Sequence, residues 1–372
     1  MSESNRPFDH DAPGPNRGDG RNIDPERGLL TGEGAQQVAP PERTRAEGGE
    51  PYGVWAQVPS DPASRADATY YDLPVLKQPT WIWAVPAYFY AGGAAGAAAV
   101  LGAAAQLSDR PGLSTLVTRC RWIAAIGGAV GTALLIHDLG RPARFLNMLR
   151  VVRPSSPMNM GSWILASAAP VAAGSAVLGS ASGVLGAVGD AAGLGAGVLG
   201  GPLAGYPGVL LSGTAVPVWQ ATRTATPPAF VASAVMAAAG VLQTMKLSDR
   251  EHGIVRRFAV AGAIGELLAE RLVQRDAASV ERVARPLHEG ASGAMLRAAK
   301  ALTVSSLVLN LVPGRRWRWA AGLSATAASL GFKFGMFEAG KASAADPRAT
   351  FYQQRAGFGG AEATGRAAVA GA

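Results

Sequence analysis

The chain has 372 residues and a formal net charge of +8; 48% of its residues are hydrophobic and only 16% are charged. Soluble domains usually have about 25% charged residues, so this composition excludes an ordinary soluble domain and indicates a membrane protein. Cys120 is the only cysteine, which excludes an internal disulfide and a cysteine-ligated iron–sulfur cluster or zinc site.

Residues 1–76 differ from the rest of the chain in charge, with 7 Lys and Arg against 13 Asp and Glu. They are rich in Gly and Pro and contain no long apolar run, so we predict a disordered acidic N-terminal tail. The start of this segment lacks the basic stretch and apolar core of a signal peptide. The remaining residues carry 27 Lys and Arg against 13 Asp and Glu, an excess that favours contact with anionic lipid over nucleic acid.

Residues 77–340 predict a bundle of about eight transmembrane helices and therefore an all-α integral membrane protein. A helix needs roughly 20 apolar residues to cross about 30 Å of hydrocarbon. Seven or nine spans are alternatives, because charged residues interrupt the sixth run and the glycine-rich residues 186–200 fit either a loop or a membrane segment. The predicted spans cover approximately residues 78–108, 122–139, 160–185, 202–221, 227–246, 254–273, 296–312 and 317–337.

Small residues and lysines inside these runs predict how the helices pack. Lys300 and Lys333 are expected near the ends of the last two spans, where a lysine reaches the membrane surface at little cost. Glycine pairs at four-residue spacing predict close approach of helix backbones. These pairs are Gly92 and Gly96, Gly127 and Gly131, and Gly193 and Gly197.

The distribution of basic residues does not fix the orientation of the bundle. An even number of spans places both termini on one side, and the predicted loops carry 11 Lys and Arg on that side against 10 on the other. The acidic tail and the absence of a signal peptide favour cytoplasmic termini in a bacterial inner membrane. We predict a flexible C-terminal tail over residues 341–372.

The second predicted span ends in the most informative motif of the chain, His137-Asp138-Leu139-Gly140-Arg141-Pro142-Ala143-Arg144-Phe145. Ionisable side chains at a membrane boundary are costly and usually mark a functional site or a docking surface. His137, Asp138 and Arg141 fall within about one helical turn. One interpretation is an ion-paired helix end that contacts anionic lipid. The other is a site where His137 and Asp138 exchange protons with a bound polar head group.

Two further residues have both a structural and a functional interpretation. Tyr206 opens the fourth predicted span, where a tyrosine is either part of the interfacial aromatic belt or a hydrogen-bond donor to a ligand. Glu266 follows eight uncharged residues and is either paired with Arg271 or a neighbouring helix, or part of a proton relay. His137 is the only histidine near a predicted span, so we expect neither a bis-histidine haem nor another redox centre in this chain.

The motif at 137–145, followed by Ser156-Pro157-Met158-Asn159-Met160-Gly161-Ser162-Trp163-Ile164-Leu165, resembles the signature of the NrfD/PsrC family. This family comprises quinone-reactive membrane subunits of polysulfide-reductase-type molybdoenzymes. The resemblance covers approximately residues 78–340. Supporting stretches are Tyr88-Phe89-Tyr90-Ala91-Gly92-Gly93-Ala94-Ala95-Gly96, Tyr206-Pro207-Gly208-Val209-Leu210-Leu211 with Pro217-Val218-Trp219, and Glu266 with residues 286–290.

The resemblance implies two four-helix bundles without haem and a quinone bound near one membrane face, with menaquinone favoured. It also implies that electrons pass to or from a four-cluster, ferredoxin-like iron–sulfur subunit, which contacts a molybdopterin catalytic subunit. By this resemblance Asp138 and Arg141 are the motif's acid and base, and Tyr206 matches a fourth-helix tyrosine near the quinone ring. We predict that His137 and Asp138 exchange protons and that Arg141 fixes their orientation. The predicted quinone-binding residues are Tyr206, Tyr88, Tyr90, Arg144 and Glu266.

Three alternatives to this interpretation are kept open. The chain lacks a histidine in its first span, where Tyr88 and Tyr90 stand instead, so the first-helix quinone contact is open. A polytopic transporter or proton-conducting channel also places carboxylates inside a bundle, but it predicts similar halves, which this sequence lacks. A purely structural anchor without quinone is the third alternative.

Overall fold

The computed structural model describes residues 76–108 and 112–355, together with the backbone of two short strands. Strands β1 (Ile23–Asp24) and β2 (Leu29–Leu30) pair antiparallel, with Ile23 opposite Leu30. The chain divides into two units, 1–78 and 79–372. The predicted disordered tail at 1–76 lies almost entirely outside the described residues.

The described part of the second unit is helical, which confirms the all-α prediction. Eight of its described helices have 18 residues or more; three short helices lie in the connections between them, and a fourth follows the last long helix. The helices are α1 (Ala84–Leu107), α2 (Ser114–Leu139), α3 (Pro142–Met148), α4 (Pro157–Leu178), α5 (Gly183–Ser212), α6 (Pro217–Ala221), α7 (Thr226–Gln243), α8 (Asp249–Ala277), α9 (Glu281–His288), α10 (Gly290–Leu309), α11 (Arg315–Ala345) and α12 (Pro347–Arg355).

Five of the long helices are long and apolar enough to cross a membrane: α1, α2, α4, α5 and α7. Packing arranges the eight long helices in two groups. The first helix group comprises α1, α2, α4 and α5; the second comprises α7, α8, α10 and α11, and its α7 also packs against α1 and α5.

Short connections between successive long helices give the bundle two distinct ends. The motif face carries the start of α1, the end of α2 and the short helices α3, α6, α9 and α12. The opposite face carries the end of α1, the start of α2 and the connections 179–182, 244–248 and 310–314. Contacts across each end agree with this assignment: Trp81 stacks on Trp219 at the motif face, and Leu116 N donates to Glu251 Oε1 at the opposite face, 2.6 Å away.

The limits of two predicted spans are wrong, and an ion pair explains why both of their helices begin earlier than predicted. Helix α2 begins at Ser114 rather than near 122, and α5 covers residues 186–200 and ends at Ser212 rather than near 221. The charged residues that suggested loops, Arg121 and Asp190, form an ion pair of 2.6 Å between these helices. Because the charges compensate each other in the fold, neither ends its helix.

The predicted glycine seams are confirmed in the first helix group. A side chain on Gly96 would collide with the backbone of α5 at Gly200, and one on Gly200 would collide with Gly96. A Cβ on Gly127 would lie 2.9 Å from the carbonyl oxygen of Ala91. Close helix approach is favourable inside a membrane because apolar burial contributes little when the solvent is itself apolar.

The helical region extends beyond the boundary expected at residue 340. Helix α11 continues to Ala345, and α12 follows as far as Arg355, with Ala349 fully buried. An ion pair of 2.6 Å between Arg282 and Asp346 ties α9 to the end of α11. Part of the segment predicted to be a flexible tail therefore packs against the bundle, and residues 356–372 lie outside the described residues.

Candidate functional site

Asp138 links the end of α2 to the start of α1. Its Oδ1 atom accepts a hydrogen bond of 3.0 Å from the backbone N–H of Ile82, just before α1. Gly140 ends α2 with a φ of +69°, a conformation that glycine adopts without a steric penalty. Asp138 is half-buried at this turn. The motif thus fixes a carboxylate at the motif face.

The structure does not pair Arg141 with Asp138 as the sequence suggested. Arg141 is the extended residue before Pro142 of α3, its side chain is exposed, and no ion pair joins it to Asp138 within the described residues. Since the Ile82 N–H already binds the carboxylate, no arginine is needed to orient it. Arg144 instead donates from Nη1 to the carbonyl oxygen of Leu139, 3.1 Å away, and so caps the C-terminus of α2.

His137 lies on the exposed side of the same turn. Its ring is 6.1 Å from the ring of Trp83, measured between centroids, with the two planes inclined by 48°. Trp83 directly precedes α1 and is itself exposed. An imidazole, a carboxylate and an indole therefore meet at one exposed edge of the bundle.

The second part of the motif holds the connection between α3 and α4. Asn159 accepts a hydrogen bond of 2.6 Å from Arg153 N and donates one of 2.6 Å to the carbonyl oxygen of Met148. Trp163 Nε1 donates to the carbonyl oxygen of Val151, 3.2 Å away. These bonds fix the loop against α4, so this stretch positions the motif face and forms no separate site.

Tyr206 and Tyr88 lie inside the bundle, in one apolar cluster. The ring of Tyr206 occupies the space that a side chain on Gly161 would need, and Tyr206 is only 7% exposed, so its placement in an interfacial belt is wrong. Tyr88 packs on Gly131, where an added Cβ would be 3.3 Å from its ring. Gly131 precedes Asp138 by seven residues, about 10 Å along a helix, so the two tyrosines lie beneath the motif face.

Tyr90 points to a different neighbour. It is half-buried, and its hydroxyl interacts with the side chain of Thr326 in α11. Tyr88 and Tyr90 therefore do not form one site, although the sequence placed them together.

Glu266 and Lys333 are both buried in the second helix group. Glu266 Oε1 accepts a hydrogen bond of 2.9 Å from Thr303, while Oε2 has no partner among the described residues. Lys333 donates to the carbonyl oxygen of Phe230 at 3.0 Å, and its Nζ lies 3.9 Å from the centroid of the Phe230 ring. Each of the two side chains thus has its own hydrogen-bond partner, and no ion pair joins them within the described part of the chain.

The expectation that Lys333 reaches the membrane surface is wrong. Its side chain is 1% exposed, because α11 continues to Ala345, twelve residues or about 18 Å further along the helix. Lys300 is 43% exposed and pairs with Glu270 at 3.1 Å. Neither Glu266 nor Lys333 has a hydrogen-bond partner in the motif at 137–145 within the described chain.

A group of charged residues at the opposite face escaped the sequence interpretation. Arg121 is 8% exposed and donates from Nη2 to Gln106 and to Asp190, at 2.9 and 2.6 Å. Gln106 Nε2 in turn donates to the backbone oxygen of Asp190. This network ties α1, α2 and α5 together. The described residues contain no group of three His, Cys, Asp or Glu that could hold a metal ion.

Comparison with known protein families gives one match. A family model described as "Polysulphide reductase, NrfD" matches residues 76–269, just over half of the chain. The matched segment includes the motif face residues of α2 as well as Tyr206 and Glu266. No curated protein matches the chain.

Proposed function

We propose a quinone-linked function for this chain, which belongs to the polysulphide reductase NrfD family because that family's model matches more than half of its length. The resemblance carried by the motif at 137–145 is thereby confirmed. Family membership and five apolar helices make the chain a multi-pass membrane protein.

The proposed membrane architecture has eight spans, with α8, α10 and α11 added to the five apolar helices. The shortest of the three has 20 residues, which is about 30 Å of helix and enough to cross the hydrocarbon core. Their polar side chains do not argue against insertion where they are buried and hydrogen-bonded inside the bundle, as Glu266 and Lys333 are. We place the protein in the bacterial inner membrane with cytoplasmic termini.

The proposed role is that of a membrane anchor and quinone-binding subunit of a respiratory complex. The observation that carries it is the edge formed by Asp138, His137 and Trp83 in a member of this family. A quinone head group needs polar partners for its oxygens beside an apolar surface. Asp138 Oδ1 accepts a hydrogen bond from the Ile82 N–H, whereas Oδ2 has no hydrogen-bond partner among the described residues. Oδ2 is therefore available to bind such a head group.

The chain's own residues would bind the head group and exchange its protons. A bound quinone supplies two-electron, two-proton redox chemistry. Asp138 Oδ2 accepts or returns one proton, and the His137 imidazole exchanges another with water at the exposed edge. The Ile82 N–H keeps the carboxylate oriented in both states. The apolar cluster around Tyr88 and Tyr206 excludes water beneath this edge.

The proposal assigns electron transfer to partner subunits. A single buried cysteine and one histidine near a span leave this chain without ligands for its own iron–sulfur cluster or paired haem. Electrons would therefore pass between the quinone, menaquinone in our proposal, and a four-cluster iron–sulfur subunit. That subunit would contact a molybdopterin catalytic subunit, as the family resemblance implies.

The variant Asp138→Asn tests this role, because it keeps the side-chain shape and removes the proton-accepting charge. We expect quinol-linked turnover of the assembled complex to fall by about two orders of magnitude, the lower range for a lost general acid or base, while dye-linked activity of the catalytic subunit persists. Asp276→Asn is the matched control, since Asp276 also accepts a hydrogen bond, 2.8 Å from Thr224, near the same face. Unchanged quinol kinetics in Asp138→Asn would contradict a quinone site at Asp138 and would favour the interpretation of this chain as a purely structural anchor.

Proton conduction is the second candidate, and the buried Glu266 favours it. Its Oε2 atom lies inside the second helix group without a partner among the described residues. Proton uptake into proteoliposomes under a potassium diffusion potential tests this function. We expect uptake with the wild-type protein and none with Glu266→Gln. Equal uptake by wild type and variant would rule out proton conduction through Glu266.

A further inference from the structure

Two cavities lie at the opposite face, far from the motif. They open where α7 ends, where α8 begins and where the chain turns from α10 into α11. Their volumes are about 230 and 370 Å³, and both are lined by Gln243, His252 and Arg318. The larger volume falls within the range of roughly 300–1,000 Å³ typical of small-molecule sites.

The lining of these cavities is strongly basic. The lining contains one carboxylate, that of Asp249, and four positively charged side chains: Lys246, Arg256, Arg315 and Arg318. Arg318 pairs with that carboxylate at 3.3 Å, so an excess of three positive charges has no counter-charge in the lining.

The nearest other carboxylate is turned away from the cavities. Glu251 accepts hydrogen bonds from the backbone N–H groups of Ser248 and Leu116, at 2.8 and 2.6 Å. It therefore caps α8 and ties it to α2, and it lines neither cavity.

Two buried polar atoms in the lining lack partners among the described residues: Gln243 Oε1 and His252 Nδ1. The hydrogen-bond network fixes the orientation of the Gln243 amide. Asn310 donates from Nδ2 to the Ser306 carbonyl at 2.8 Å, so its Oδ1 must accept from Gln243 Nε2, 2.5 Å away. Gln243 Oε1 is then an acceptor that needs a donor. A buried polar atom without a partner is costly, which indicates that a ligand supplies one.

We propose that these cavities bind a phosphate ester that also carries a free hydroxyl, the chemistry of a glycerophosphate head group. The phosphate oxygens accept from the cations and from His252, and the hydroxyl donates to Gln243 Oε1. Two sources share this chemistry: the head group of phosphatidylglycerol and soluble glycerol phosphate. The site lies at the ends of membrane-spanning helices, the level at which basic pockets meet anionic lipid head groups.

Native mass spectrometry of the full chain in detergent tests the site. The probes are phosphatidylglycerol, phosphatidylmethanol, which keeps the charged diester but lacks the hydroxyl, and sn-glycerol 3-phosphate. Lys246→Gln combined with Arg315→Gln removes two lining cations. We expect the affinity for phosphatidylglycerol to fall about thirtyfold, which corresponds to about 1 kcal/mol for each cation removed. Arg316→Gln is the matched control, because Arg316 is exposed and adjacent but lines neither cavity.

Each outcome of this experiment decides a part of the proposal. Tighter binding of phosphatidylglycerol than of glycerol phosphate identifies the lipid as the source, and the reverse identifies the soluble ester. The site is overturned if wild type and the double variant bind phosphatidylglycerol with equal affinity and also bind glycerol phosphate with equal affinity. Equal affinity for phosphatidylglycerol and phosphatidylmethanol overturns the role of Gln243. If the double variant misfolds, His252→Phe replaces it in the experiment. We expect His252→Phe to lower the affinity at least fivefold, and an unchanged affinity would contradict the site. None of these readouts depends on quinone or on a partner subunit.

Discussion

The two helix groups are held together by different interactions. In the first group, glycines at positions such as 96, 127 and 200 bring helix backbones into contact. In the second, polar side chains meet inside the bundle: Glu266 with Thr303, Ser233 with Ser329, and Lys333 with the Phe230 carbonyl. Mean hydropathy therefore identifies the helices of the first group, and of the second group only α7. A membrane helix can be polar where its neighbours bury the polar face.

The largest expected effect breaks the polar interior of the second group. Lys333→Met leaves the buried Phe230 carbonyl without its donor and removes the cation from the Phe230 ring, which we expect to lower the free energy of unfolding by about 4 kcal/mol. Lys300→Met is the matched control, since Lys300 pairs with a carboxylate but is 43% exposed, and it should cost less than about 1 kcal/mol. Thermal unfolding in detergent measures both.

The double variant Lys333→Met with Glu266→Leu sharpens the same comparison. If the two charges compensate each other inside the bundle, replacing both side chains by apolar groups should restore most of the lost stability. A double variant as unstable as Lys333→Met alone would show that the two residues do not act as a pair.

A somewhat smaller effect is expected from the glycine contact of the first group. Gly200→Leu places a side chain against the Gly96 backbone, and such overpacking should cost about 3 kcal/mol. Gly201→Leu is the control, because an added Cβ there has no heavy atom within 4 Å. Denaturant unfolding should separate the two variants clearly; equal stability would contradict close packing of α1 on α5.

The smallest effect is expected at Arg141. Its side chain is exposed and forms no ion pair with Asp138 in the described structure, so Arg141→Lys should change quinol-linked turnover by less than about twofold. A tenfold loss in an assembled complex would instead indicate that Arg141 contacts the quinone or a partner subunit through its planar guanidinium.

The sequence predicted the order of the long helices, and its apolar runs are helices α1, α2, α4, α5 and α7 in the structure. It placed the beginnings of α2 and α5 too late, since the pairing of Arg121 with Asp190 is visible only once residues 69 positions apart are brought together. The end of α11 did have a sequence signal that was not used. Pro347 after Asp346 is a typical helix stop, and it would have placed Lys333 deep inside α11.

The candidate site was predicted in composition but not in its contacts. The motif identified Asp138 and His137 correctly as neighbours at a helix end. The group that donates a hydrogen bond to Asp138 is the backbone N–H of Ile82. This donor has no sequence signature, because every residue except proline carries a backbone N–H. The sequence likewise offered Arg141 as a partner by proximity along the helix, whereas Gly140 ends the helix between them.

Photolabelling with an azido-menaquinone, followed by peptide mapping of the full chain, tests the quinone proposal most directly. We expect saturable labelling, displaced by unlabelled menaquinone, on peptides from the motif face around Trp83 and His137, and about tenfold weaker labelling in Asp138→Asn. Asp276→Asn should label like wild type. Labelling confined to α10 and α11, or labelling that does not saturate, would contradict a quinone site at Asp138.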